Sequence, residues 1–154
     1  MEKANEISPS LYEFLNGRDL ERKQHEAMML LTVTEDAWPH SAMVSAGELV
    51  ALSRSRLRLA LWPGTVTSGN MIRSGRAVLV AVHQGAVHYV RLSLSRLPQL
   101  PSARHPRERF EAEVMSVRED TAKYADIASG VTILLKQQAE VLTRWGETLT
   151  ELRE

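Results

Sequence analysis

The stretch that most constrains this chain is residues 57–82, LRLALWPGTVTSGNMIRSGRAVLVAV. Leu57, Leu59 and Leu61 alternate with Arg58 and Ala60, the period of two that marks a half-buried strand. Trp62-Pro63-Gly64 stops that strand, because proline brings no N–H to a ladder and Pro-Gly favours a turn. Thr65, Thr67 and Ser68 are candidate caps for a short helix over residues 68–73, which Gly75 ends. Arg76-Ala-Val-Leu-Val-Ala-Val then returns as a nearly continuous buried strand. A hydroxyl-rich helix start between two core strands is a natural cradle for a phosphate or other anion.

The rest of the chain supplies partners for those strands. Ser8-Pro9-Ser10 opens a short helix with Leu11, Phe14 and Leu15 on its apolar stripe and Gly17 at its end. Residues 27–34 and 39–45 form a hairpin across the turn Glu35-Asp36-Ala37-Trp38, and residues 49–52 add a further strand. Gln84-Gly85 is a two-residue turn that folds 87–97 back on 76–83. Residues 98–106 hold three prolines and form a mobile loop, 110–117 alternate as a last strand, and 119–127 form a short helix or turn. From Val131 the tail is helical, with Leu135, Leu142 and Leu149 recurring every seven residues and Gln138, Trp145 and Leu152 three later. That seam packs either on its own barrel or on a second copy. Six or seven strands in hairpin order with peripheral helices indicate a mainly β (α+β) antiparallel barrel, one domain over 1–154 with the barrel at about 20–120 and a C-terminal helix at about 129–152.

Composition removes several function classes. Nineteen Lys+Arg balance nineteen Asp+Glu, so no global charge points to nucleic acid or a membrane surface. Without cysteine there is no thiolate chemistry and no disulfide, which suits a cytoplasmic protein. No apolar run approaches the ~20 residues of a membrane span, and Met1-Glu2-Lys3 does not open a signal peptide.

The chain has no GxGxxG, GxxxxGK[ST] or GxSxG, and His25-Glu26 lacks the second histidine of HExxH, since Met29 stands there. Across the Gln84-Gly85 turn His83 and His88 fall on one sheet face as diagonal neighbours, either hydrogen-bonded polar residues or two ligands for a metal or haem without an evident third. Arg54, Arg56 and Arg58 share one face, as a charged edge or as a basic patch. Thr65, Thr67, Ser68 and Asn70 either cap a helix or hold a phosphate, and Trp62 is either core or the wall of a planar-ring site.

The words Met29-Leu-Leu-Thr-Val-Thr-Glu-Asp-Ala-Trp-Pro-His40-Ser41 and, over 57–79, a strand followed by Thr-x-Thr, Asn70 and GRAVL resemble the pyridoxamine 5′-phosphate oxidase-like family. The resemblance spans about residues 20–120 and implies a six-stranded antiparallel split β-barrel that forms a homodimer with FMN in two clefts between subunits. It implies phosphate contacts at Thr65, Thr67, Asn70 and Ser68. The flavin ring and ribityl chain would lie along His40, Ser41 and Met43, with Trp62 at the cleft edge. The segment after the fourth strand is neutral here where vitamin-B6 oxidases carry Arg and Lys, Ala37 replaces the usual turn glycine, and the tail lacks that oxidase's arginine pattern. Oxidation of vitamin B6 is therefore not expected.

These readings converge on an FMN-dependent oxidoreductase acting on a small molecule, in which the flavin does the chemistry and no side chain is a dedicated acid or base. The alternatives are a non-catalytic dimer that holds flavin or haem as sensor, carrier or store, and a barrel that has lost its ligand.

Overall fold

The computed structural model describes residues 5–154; residues 1–4, and with them the charged opening read above, lie outside the described residues. Strands β1 (Glu26–Val33), β2 (Pro39–Ser45), β3 (Leu49–Ala51), β4 (Arg56–Leu61), β5 (Arg76–His83), β6 (Ala86–Leu97) and β7 (Glu108–Asp120) pair antiparallel in the order β2-β1-β5-β6-β7-β4-β3. An additional two-residue strand, β8 (Val131–Thr132), pairs with β1. Helices α1 (Pro9–Leu15), α2 (Leu20–Lys23), α3 (Val66–Ser74) and α4 (Gln138–Arg153) lie outside the ladder. The architecture is mainly β with a C-terminal helix, as the sequence indicates; the main path holds seven strands rather than six.

The edges of that path, β2 and β3, are consecutive in the chain and joined only by residues 46–48. The sheet therefore curls until its edges nearly meet, into a half-barrel. Strand alternation gives it two faces. Leu30, Leu79, Val90, Phe110, Ala112 and Leu57 point inward and are buried, with Leu11, Phe14 and Leu15 of α1 closing one end of the same core. The Gln84-Gly85 turn has positive φ at both residues, 49° and 74°, the form that suits a tight hairpin. The first hairpin turn places Ala37 at φ 67°, a left-handed position that glycine fills without strain.

Three segments differ from the sequence reading. β7 runs to Asp120, because β6 pairs with it along its whole length through a bulge near Arg91 and Leu92, so no helix forms over 119–127. The C-terminal helix starts at Gln138, since Val131–Thr132 are taken up by β1. The 98–107 loop is pinned rather than mobile: the Arg104 and His105 N–H groups donate to Glu151, and the His105 ring bonds Glu147 at 3.1 Å. Those bonds from His105 and Arg104 hold the Glu147 carboxyl below the usual carboxylate range.

Helix α4 packs on its own sheet. Trp145, Thr148, Leu149 and Leu152 make one buried stripe, Leu149 and Leu152 lying on Val50 and Ala60. Arg58 secures its end by donating to the carbonyls of Leu152 and Arg153 while bonding Glu111 at 3.2 Å. Arg56 also approaches Glu111, and Arg54 donates to the Ile7 carbonyl, so this arginine row serves the fold. The corner at Gly47 fits under Trp145 so closely that a Cβ there would lie 2.0 Å from the indole. Gly47→Ala should destabilise the protein by about 1–3 kcal/mol, by forcing Trp145 from its rotamer, and thermal unfolding should show the drop.

Candidate functional site

The outward face of the sheet is where the structure leaves apolar surface open. Val33, Met43 and Met115 are each about half exposed there, at 50%, 53% and 54%. Between β1, β5 and β6 this face forms an open groove of about 790 Å³. Leu31, Val33, Val78 and Met115 supply its apolar walls, and Arg76, Arg91 and Ser93 its polar ones. A concave, mostly apolar surface with a few polar groups is the usual form of a small-molecule site.

The residues expected from sequence are divided by the pleat. Ser41 pairs with Leu31 and Met43 with Met29, so both continue the groove's face along β2. His40 pairs with Thr32 and therefore turns to the opposite, inner side. Adjacent residues on a strand face opposite ways, a signal already present in the His40-Ser41 dipeptide.

The α3 residues are largely engaged within the chain. Thr65 and Ser68 form a reciprocal capping box: Thr65 Oγ1 accepts from the Ser68 N–H at 3.1 Å and Ser68 Oγ from the Thr65 N–H at 3.2 Å. Asn70 is buried, with its amide donating to Thr32 Oγ1 at 3.0 Å and its carbonyl accepting from Arg73. These bonds fasten α3 to β1, and Arg73 adds a further one to the Val33 carbonyl. Thr67 and Ser68 are buried as well. The helix start thus keeps as open donors, among the described residues, the N–H groups of Val66 and Thr67 and the Thr67 hydroxyl.

Trp62 is 56% exposed and lies under the Arg107 guanidinium, 3.7 Å from its ring centroid. Beside it in charge, though not in an ion pair, is Glu48, whose carboxylate accepts from the Ser45 N–H and hydroxyl. Burial pushes the Glu48 carboxyl up from its ordinary value, against smaller opposing effects of the Ser45 bonds and of Arg107 and Arg144. His83 and His88 do share the inner face as diagonal neighbours, but neither opens on the groove. His88 is 2% exposed with Glu119 3.7 Å away, and His83 stacks on Phe14 at 5.0 Å, where burial lowers its pKa. Among the described residues no group of three or more His, Asp or Glu is placed to hold a metal ion.

This geometry can be set beside known proteins. No family model matches the chain. It is 50% identical, over 153 residues and 99% of both chains, to the uncharacterized protein YclD of Bacillus subtilis (strain 168). The chain belongs to the YclD family. Among solved structures, a candidate pyridoxamine 5′-phosphate oxidase of Lactobacillus delbrueckii superposes with a TM-score of 0.60 at 15% identity, covering 75% of this chain and 96% of that one. HupZ of Group A Streptococcus gives 0.55 at 11% identity, covering 83% and 99%. An FMN-binding protein of Syntrophomonas wolfei gives 0.51 at 14%, covering 71% and 88%. The YclD-family chain thus has the fold of the pyridoxamine 5′-phosphate oxidase-like, FMN-binding split barrels. Among the described residues no helix is long and apolar enough to cross a membrane.

Glu48 gives this region a pH signature. Its folded pKa lies above the unfolded 4.5, so the native state retains a proton that the unfolded chain has released, and stability falls as pH rises through and beyond 4.5. Glu48→Gln keeps the acceptor for Ser45 and cannot ionise. It should raise the unfolding temperature by a few degrees at pH 7, with the gain shrinking toward pH 4, in calorimetric scans at the two pH values.

Proposed function

We propose that this YclD-family protein binds FMN as a homodimer and acts as a flavin-dependent oxidoreductase on a small molecule. The observation that carries the reading is the open outward groove of about 790 Å³, lined by apolar side chains with a few polar ones among them. FMN has those two parts, a flat ring system and a charged tail, so the chemistry of the lining suits it. The presence of an FMN-binding protein among the structures that share the fold supports the same cofactor.

In this reading Leu31, Val33 and Val78 exclude water from one side of the ring, and Ser41 and Met43 extend that surface along β2. When bound, the flavin supplies the hydride or electron chemistry, and the chain supplies position and a dry wall. The half-exposed Val33, Met43 and Met115 form an apolar face that a second copy would cover, turning an open groove into an intersubunit cleft. The buried His88 offers no open edge to a planar macrocycle, so haem is not the cofactor proposed.

Purified protein should be yellow, show the visible flavin band and bind added FMN near one per chain in calorimetry. A colourless protein that takes up no FMN rejects the cofactor. Met43→Asp, on an exposed position of the same face, should convert the dimer to monomers in light scattering and weaken FMN about tenfold or more while the far-UV circular dichroism stays that of wild type. A wild-type protein that is already monomeric rejects the shared cleft.

A further inference from the structure

Most arginines of the fold have a partner: Arg54, Arg58, Arg73, Arg96 and Arg104 each hold a carbonyl or a carboxylate. Two in the groove do not. Arg76 stands opposite Ser93, and Arg91 opposite Val78, so the two are diagonal neighbours on adjacent strands and the same outward face. Diagonal positions across a strand pair lie roughly 7–8 Å apart, within reach of two long side chains. Both line the groove, and no carboxylate does. Glu113, opposite Ser93 on β7, is the acid nearest in register, and it makes no ion pair with either arginine.

Two like charges set side by side cost stability unless something of opposite sign joins them. Guanidinium forks match the oxygens of phosphate and carboxylate two at a time, and an apolar surface beside them strengthens the attraction by thinning the water. Ser93 adds a hydroxyl free of other bonds among the described residues, while the Ser74 hydroxyl is taken by the Arg76 backbone.

We propose that Arg76 and Arg91 form an anion clamp, which grips the phosphate or carboxylate of a ligand whose flat apolar part lies on Leu31, Val78 and Met115. The clamp stands on the groove's own geometry; only its membership of a flavin site rests on the function proposed above. Its anion has two possible sources, the tail of FMN or an acidic group on the small molecule that FMN would transform.

Calorimetric titrations of wild type, Arg76→Gln, Arg91→Gln and the double variant with inorganic phosphate, FMN and riboflavin test the clamp. Both side chains are exposed and carry like charge, so the unliganded variants should unfold at or slightly above the wild-type temperature. The expected result is at least about a tenfold loss of phosphate or FMN affinity in the double variant, with Lys at both positions restoring part of it. If FMN weakens while riboflavin does not, the clamped group is the cofactor's phosphate. If phosphate weakens while FMN does not, the clamp serves the substrate. Phosphate binding that is lost in the double variant of a protein taking up neither flavin keeps the clamp and removes the flavin reading. The clamp is overturned if the double variant binds phosphate and FMN within about twofold of wild type, if wild type binds neither, or if its sole effect is to dissociate the dimer.

Discussion

A sheet whose two edge strands follow one another in the chain cannot lie flat. β2 ends at Ser45 and β3 begins at Leu49, yet five other strands separate them in the hydrogen-bonded order. Only curling brings such edges within the reach of residues 46–48, and the rest of the architecture follows from that closure. The inner face becomes small and enclosed, filled by side chains with α1 at its end. The corner itself is crowded, which is why a glycine sits against Trp145 and why α4 packs there instead of projecting into solvent. The outer face, stretched over the convex side, finds too few elements of its own to cover it.

The same closure explains how the candidate site is divided. In a curled sheet the two faces differ completely in environment, so adjacent residues have different fates. His40 goes inward beside Thr32, while Ser41 and Met43 go outward onto the groove's face. α3 is held against β1 by Asn70 and Arg73, and that bonding uses polar groups that a sequence reading assigns to a phosphate. A helix cap and a phosphate cradle call for the same residue types, since both satisfy unpaired N–H groups. Thr65 and Ser68 satisfy each other's, and the positive charge of the groove comes instead from Arg76, just past the end of the helix, and Arg91 on β6.

Much of the fold was legible because its signals are local. β2 is bounded at Pro39 and Ser45 by the turn residues on either side, and the Gln84-Gly85 pair fixes the register that places His83 and His88 on one face. The family words at 29–41 and 57–79 pointed to the split barrel that the structure displays. What escaped depends on distant pairing. Residues 118–120, Arg-Glu-Asp, carry no apolar alternation and are strand because β6 is long enough to pair with them. Val131 and Thr132 look like the first turn of the helix and are strand because β1 has an unfilled edge beyond β5. The groove's two arginines belong to different strands, each of which looks ordinary alone.

Overall charge concealed this local imbalance. Equal numbers of acids and bases gave no reason to expect an anionic partner. Neutrality of the sum constrains solubility and long-range steering, however, and says little about any one concavity. Carboxylates here are spent elsewhere: Glu147 and Glu151 tie the 98–107 loop to α4, Glu111 holds Arg56 and Arg58, and Glu108 holds Arg96. None of those acids lines the groove. A chain neutral in sum can still be locally positive, and Arg76 and Arg91 stand on a groove whose other walls are largely apolar, where an anion would be less screened than on open surface.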